Sequence, residues 1–86
     1  MMQDLQIPRW IEVMAYLNEH EGESISDINR NIRMTYSHTT AVVKELSVRK
    51  YVNKRKKGRI SMVTLTAKGR KLAEVCQFIY KTIEGV

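Results

Sequence analysis

The chain has a single cysteine, Cys76, and a single proline, Pro8, in 86 residues. One thiol closes no internal disulfide and leaves no thiolate set for zinc, which suits a reducing, intracellular setting. No apolar run reaches the roughly 18 residues that a membrane-spanning helix needs. The opening "MMQDLQIPRW" carries an acid and a proline early and does not read as a signal peptide. The two histidines, His20 and His38, have no metal-ligand spacing with each other or with Cys76. The four glycines are too scattered to cradle a phosphate. With no carboxylate pair and no Ser-His-Asp set either, the sequence implies no enzyme, no cofactor and no metal.

Acid is nearly missing from the middle of the chain. Residues 36–71 hold eleven basic side chains against one acid, Glu45, whereas residues 1–35 hold three against six. Charge spread for solubility would not be concentrated in this way. A basic block points to a polyanionic partner, with nucleic acid ahead of an anionic membrane or an acidic protein. Its densest part is "NKRKKGRIS", Asn53 to Ser61, where Lys54, Arg55, Lys56, Lys57 and Arg59 surround Gly58.

Periodicity supplies the elements around this run. "IPRWIEVMAYLNEHEG" reads as a first helix, with Pro8 in its first turn and Trp10, Val13, Met14 and Leu17 on one face. Gly22 is expected to end it. "ESI" is a short extended piece, after which Ser26 is expected to cap a helix over "DINRNIR". Thr35 caps a third helix, "YSHTTAVVKELSVRK", with Thr39, Val42, Val43 and Leu46 inward. "YVNKRKK" and "RISMVTLT" are rich in β-branched residues and flank Gly58, which predicts a hairpin. Thr66 then caps a last helix, on which Leu72, Cys76, Ile79 and Ile83 form a stripe that Val75 and Phe78 widen. Eighty-six residues hold one core, so residues 1–86 are expected to form a single domain.

The order is helix, short strand, helix, helix, strand, strand, helix. It predicts an α+β fold, a winged helix-turn-helix with a three-helix core, a two-stranded wing and a C-terminal helix. "SISDINRNIRMTYSHTTAVVKELSVRKYVNKR" followed by "SMVTLTAKGRKL" resembles the MarR-type winged-helix regulators over residues 9–72. "LTAKGRKL", Leu65 to Leu72, matches that family's L-T-x-x-G-x-x-L entry to the helix after the wing. The resemblance implies a prokaryotic or viral transcriptional regulator that binds double-stranded DNA, usually as a dimer. It differs at Arg33 and Lys50, where the family commonly has glycine, and in a short wing without the usual acidic-plus-arginine pattern. The long extra helices that build a ligand pocket in full-length members are missing, so no small-molecule ligand is carried over.

The expected DNA-binding set follows. Tyr36, Ser37, His38, Thr40, Ala41 and Lys44 would present a recognition helix, residues 35–49, to the major groove. Lys54, Arg55, Lys56, Lys57 and Arg59, on a wing over residues 51–66, would meet backbone or minor groove. The last helix, residues 67–86, is apolar on more sides than one small core needs. Together with the Met1–Trp10 arm it is expected to form a homodimer interface through Trp10, Val75, Phe78, Ile79 and Ile83. A cytoplasmic, nucleoid-associated location follows from that reading. The alternative is a winged-helix module that docks protein and has no DNA role.

Overall fold

The computed structural model describes residues 7–20 and 22–84. The expected dimerisation arm lies outside them up to residue 6, as do residues 85–86 of the expected last helix. The chain runs α1 (Arg9–Glu19), β1 (Glu23–Ser24), α2 (Ile25–Ile32), α3 (Tyr36–Val48), β2 (Val52–Lys57), β3 (Ile60–Leu65) and α4 (Ala67–Glu84). The order is the one expected, but the wing is not a free two-stranded ribbon. The β1 strand pairs antiparallel with β3, giving a three-stranded sheet in the order β1-β3-β2.

Two helix ends differ from expectation, each for a local reason. The α1 helix stops at Glu19, and Gly22, at φ +74°, serves the turn into β1 instead of capping the helix. Pro8 sits just before the first helical residue, and its carbonyl accepts from Ile11 and Glu12. The α2 helix starts earlier because Ser24, not Ser26, is its cap: Ser24 Oγ accepts from Asp27 N at 3.1 Å. This cap brings Ile25 onto the buried stripe with Ile28 and Ile32, which a start after Ser26 would have left outside the helix.

The ends of α2 and α3 explain the two departures from glycine. Arg33 and Lys50 both adopt left-handed backbone, at φ 63° and 69°. At α3, Tyr51 N donates to Leu46 O and Lys50 N to Ser47 O, the paired bonds of a Schellman close with Lys50 in the left-handed position. At α2, Arg33 N and Met34 N share Asn29 O. Arg9 reinforces this turn from α1 by donating to Ile32 O at 3.2 Å and Arg33 O at 3.0 Å. Both positions are therefore glycine-type sites filled by long cationic residues.

Val13, Met14 and Leu17 of α1, Ile28 of α2, Val43 of α3, Val52 and Val63 of the sheet, and Ala73 and Cys76 of α4 meet in one core. Burying each large aliphatic there contributes about 1.5–3 kcal/mol. The entry to α4 is held by a compact knot. Thr66 Oγ1 donates to Lys50 O at 2.7 Å and accepts from Gly69 N at 2.8 Å, and Thr66 N donates to Tyr51 O at 3.1 Å. Gly69 is buried so tightly that a Cβ there would lie 1.7 Å from Tyr51 O. The "LTAKG" motif thus docks the first turn of α4 onto the link between α3 and the wing.

Candidate nucleic-acid interface

The α3 helix is positioned by its buried stripe. Thr39, Val43 and Leu46 face the core, and Thr39 donates to Thr35 O at 2.9 Å, so a polar side chain is satisfied at full burial. Thr35 Oγ1 accepts from His38 N at 3.1 Å and starts the helix as expected. Tyr36, Ser37, His38, Ala41 and Lys44 are left exposed. Thr40 is half-buried, and its hydroxyl oxygen is covered with no hydrogen-bond partner among the described residues.

The wing is a two-residue hairpin. Lys57 pairs with Ile60, so Gly58 and Arg59 alone make the turn. Gly58 has φ +63° and Arg59 does not share the positive φ, the pattern of a type II′ turn with glycine first. The register puts Lys54 and Lys56 on one face with Val52, and Arg55 and Lys57 on the other with Asn53. All five wing cations are exposed, and none forms an ion pair among the described residues. Since β2 is an edge of the sheet, its charge also blocks edge-to-edge pairing with another chain.

The structure divides the expected α3 set. Tyr36 shares a cleft of about 390 Å³ with Arg59 and Ile60 of the hairpin and with Asp27 and Arg30 of α2. His38 and Ala41 instead line an apolar pocket of about 610 Å³ with Trp10, Val42, Leu46, Tyr51 and Leu72. Both are nevertheless exposed, and Ala41 shares the outer face of α3 with Ser37 and Lys44 by helical spacing. Arg30 was not among the expected residues. It sits in the acidic third of the chain and pairs with Asp27 at 3.2 Å, so only folding reveals its place beside the wing.

Two further cations of the basic block, Arg49 and Lys68, meet at the link between α3 and the wing. Arg49 pairs with Glu45 at 2.6 Å, and Lys68 donates to Arg49 O while lying 4.7 Å above the Tyr51 ring. These cations are already engaged within the fold. Of the expected interface residues on α1 and α4, Trp10, Val75, Phe78 and Ile83 are exposed and Ile79 is half-buried. Phe78 is the most open, at 72%. Cys76 is buried and its thiol pKa is pushed up by burial, which leaves a small hydrophobe with little thiolate character. Among the described residues, no group of acidic, histidine or cysteine side chains could hold a metal, and no helix is long and apolar enough to cross a membrane.

Comparison with known proteins agrees with this architecture. A family model described as a winged helix DNA-binding domain matches residues 8–69. F-93 of SSV1 superposes with a TM-score of 0.81 at 22% identity, over 99% of this chain and 98% of that one. A MarR family transcriptional regulator from Silicibacter pomeroyi, SPO1453, superposes at 0.75 with 28% identity, over 94% of this chain and 58% of its own. S. aureus MepR in its complex with DNA gives 0.81 at 20% identity, over 93% and 62%. The chain thus spans about three fifths of the last two proteins and nearly all of the first. No curated protein sequence matches it significantly.

Proposed function

The chain belongs to the winged helix DNA-binding domain family, and on that premise we propose that it binds duplex DNA as a sequence-selective transcriptional regulator. The α3 helix enters the major groove, whose width of about 12 Å admits a helix of about 10–12 Å. Tyr36, Ser37, Thr40 and Lys44 lead that approach, and the hairpin turn reaches the backbone or the adjacent minor groove. The observation that carries this reading is the wing itself: five exposed cations without internal partners, beside the open start of α3. Neighbouring like charges on a strand cost a few tenths of a kcal/mol per pair, and polyanionic phosphates would reverse that cost. The S. aureus neighbour solved with DNA has the same fold, which supports the reading.

The protein acts as a homodimer. The exposed apolar arc of α4, extended by Trp10, is covered by a second copy, so two α3 helices read half-sites about one helical turn apart. The test is binding to mixed-sequence duplex across a salt series. Several phosphate contacts make the affinity fall steeply with salt; an affinity nearly independent of salt would sink the proposal. The exposed α4 face also fits a protein-docking module, and reversing the charge of Lys56 and Lys57 separates the two. That module keeps its partner after the reversal, whereas the DNA-binding protein loses its affinity.

A further inference from the structure

One sugar–phosphate strand separates a major groove from the minor groove beside it. A protein with a helix in the first and a hairpin in the second must seat that strand between them. In this molecule the space between the start of α3 and the hairpin turn is the cleft lined by Tyr36, Arg59, Ile60, Asp27 and Arg30. We propose that this cleft seats the separating strand, that Arg30 holds one of its phosphates, and that Asp27 moderates that contact. The inference rests on the reading of α3 as the groove helix.

Arg30 has the right chemistry and freedom. Its Nη1 meets Asp27 Oδ1 at 3.2 Å, yet its side chain is 70% exposed. The guanidinium therefore keeps most of its five N–H donors for a second acceptor, and a phosphodiester accepts two at once. Arg59 enters the same cleft from the hairpin and Tyr36 brings a phenol from α3, so three elements converge on one strip of surface. In helix-turn-helix proteins the first helix of the pair crosses the DNA backbone, and Arg30 lies on that helix. Asp27 opposes the phosphate as a like charge while anchoring Arg30. A phosphate held by Arg30 would lie beside Asp27, and its repulsion by that carboxylate outweighs the help of one exposed anchor, so Asp27 limits binding to unselected DNA.

The alternative account of the same residues is an exposed i,i+3 ion pair that adds slightly to helix stability and does nothing else. The two differ in the salt dependence of DNA binding. Arg30→Gln, assayed on the intact chain with mixed-sequence duplex, is expected to weaken binding about five- to tenfold near 0.1 M salt and to lower the log–log salt slope by about one. Arg30→Lys restores the slope but only part of the affinity, because an ammonium is a point charge and not a fork. Asp27→Asn is expected to tighten binding about threefold on all sequences. An Arg30→Gln protein with the wild-type slope and affinity, whatever its melting temperature, overturns the inference and leaves the DNA-binding reading intact. Weaker binding by Asp27→Asn also overturns it. A flat salt response of the wild-type protein overturns the reading beneath it.

Discussion

At the scale of single residues, two glycine-type positions point in opposite directions. Gly69 lies inside α4, where alanine ordinarily gains about 1 kcal/mol over glycine. Here the added methyl would sit 1.7 Å from Tyr51 O and 2.7 Å from Tyr51 C. Those are backbone atoms held by Thr66 N and its hydroxyl, so the first turn of α4 must move. Gly69→Ala is expected to cost about 2–3 kcal/mol, read as a lower urea midpoint at unchanged m-value; a gain in stability would contradict the close docking. Lys50 presents the reverse case. It occupies a left-handed site that L-residues fill at about 1–2 kcal/mol, and no side-chain bond of Lys50 offsets this among the described residues. Lys50→Gly is expected to raise stability by about 0.5–1 kcal/mol in the same titration. Tyr16 supplies a pH dependence. Burial, then the hydrogen bond it donates to Glu23 at 2.9 Å and the nearby carboxylates, push its phenol up to about 12 from an ordinary 10. A raised phenol favours the fold below the unfolded pKa, and that contribution is lost as pH climbs from about 10 to about 12. Wild type is therefore expected to exceed Tyr16→Phe in stability at neutral pH and to lose that lead over this window. A constant gap from pH 9 to 12 would show that Tyr16 titrates no differently in the folded and unfolded chain.

At the scale of elements, affinity and selectivity should separate. Lys44 of α3 and Arg55 of β2 are exposed cations with no partner among the described residues, suited to phosphates, which carry no sequence information. Lys44→Ala and Arg55→Ala are expected to weaken binding to every sequence about equally and to lower the salt slope by about one each. Ser37 and Thr40, at the start of α3, should instead change which sequence is preferred, measured by selection from a random duplex library. Parallel losses on specific and non-specific DNA for all four variants would abolish that division of labour. Much of this layout was legible beforehand. The α3 helix announced itself through Thr35 and its 3.6-residue stripe, and the hairpin through β-branched runs around Gly58. What could not be read was whatever depends on three-dimensional neighbours. Ser24 and Ser26 are equally good caps by residue type, and the burial of Ile25 decides between them. Lys50 and Arg33 hide glycine-type backbone behind ordinary side chains. The pocket that the exposed His38 and Ala41 share with Trp10 and Leu72 likewise forms only on folding. Arg30 belongs to an acidic segment by position and to the basic cleft by folding.

At the scale of the whole molecule, the proposed pairing of two copies would make α4 set the spacing of two reading heads. Its inner side, with Gly69, Ala73 and Cys76, is spent on the core, and α1 packs against it through the Asn18–Gln77 hydrogen bond and the Lys81–Glu19 pair. The exposed side carries Val75, Phe78 and Ile83 with half-buried Ile79. Lys71 stands on that same side near its N-terminal end, by helical spacing from Val75 and Phe78. A parallel pairing of two such helices would set Lys71 against its own copy. An antiparallel pairing sets it toward the C-terminal half of the partner helix, whose last carbonyls carry partial negative charge, and is compatible with the two-fold symmetry that a pair of half-sites requires. Phe78→Glu tests this arrangement with little cost to the monomer, since the side chain is mostly outside the core. The variant is expected to keep the wild-type melting transition to within a few degrees and to elute as a monomer in light-scattering chromatography. Its affinity for a two-half-site duplex is expected to fall about a hundredfold or more, because the second half-site is no longer delivered at high effective concentration. Binding to a single half-site should be unchanged, which separates loss of pairing from damage to α3. A wild-type protein that is monomeric at the concentrations where it binds DNA, or a Phe78→Glu protein that remains dimeric, would remove α4 from this role and leave its apolar side to a different partner.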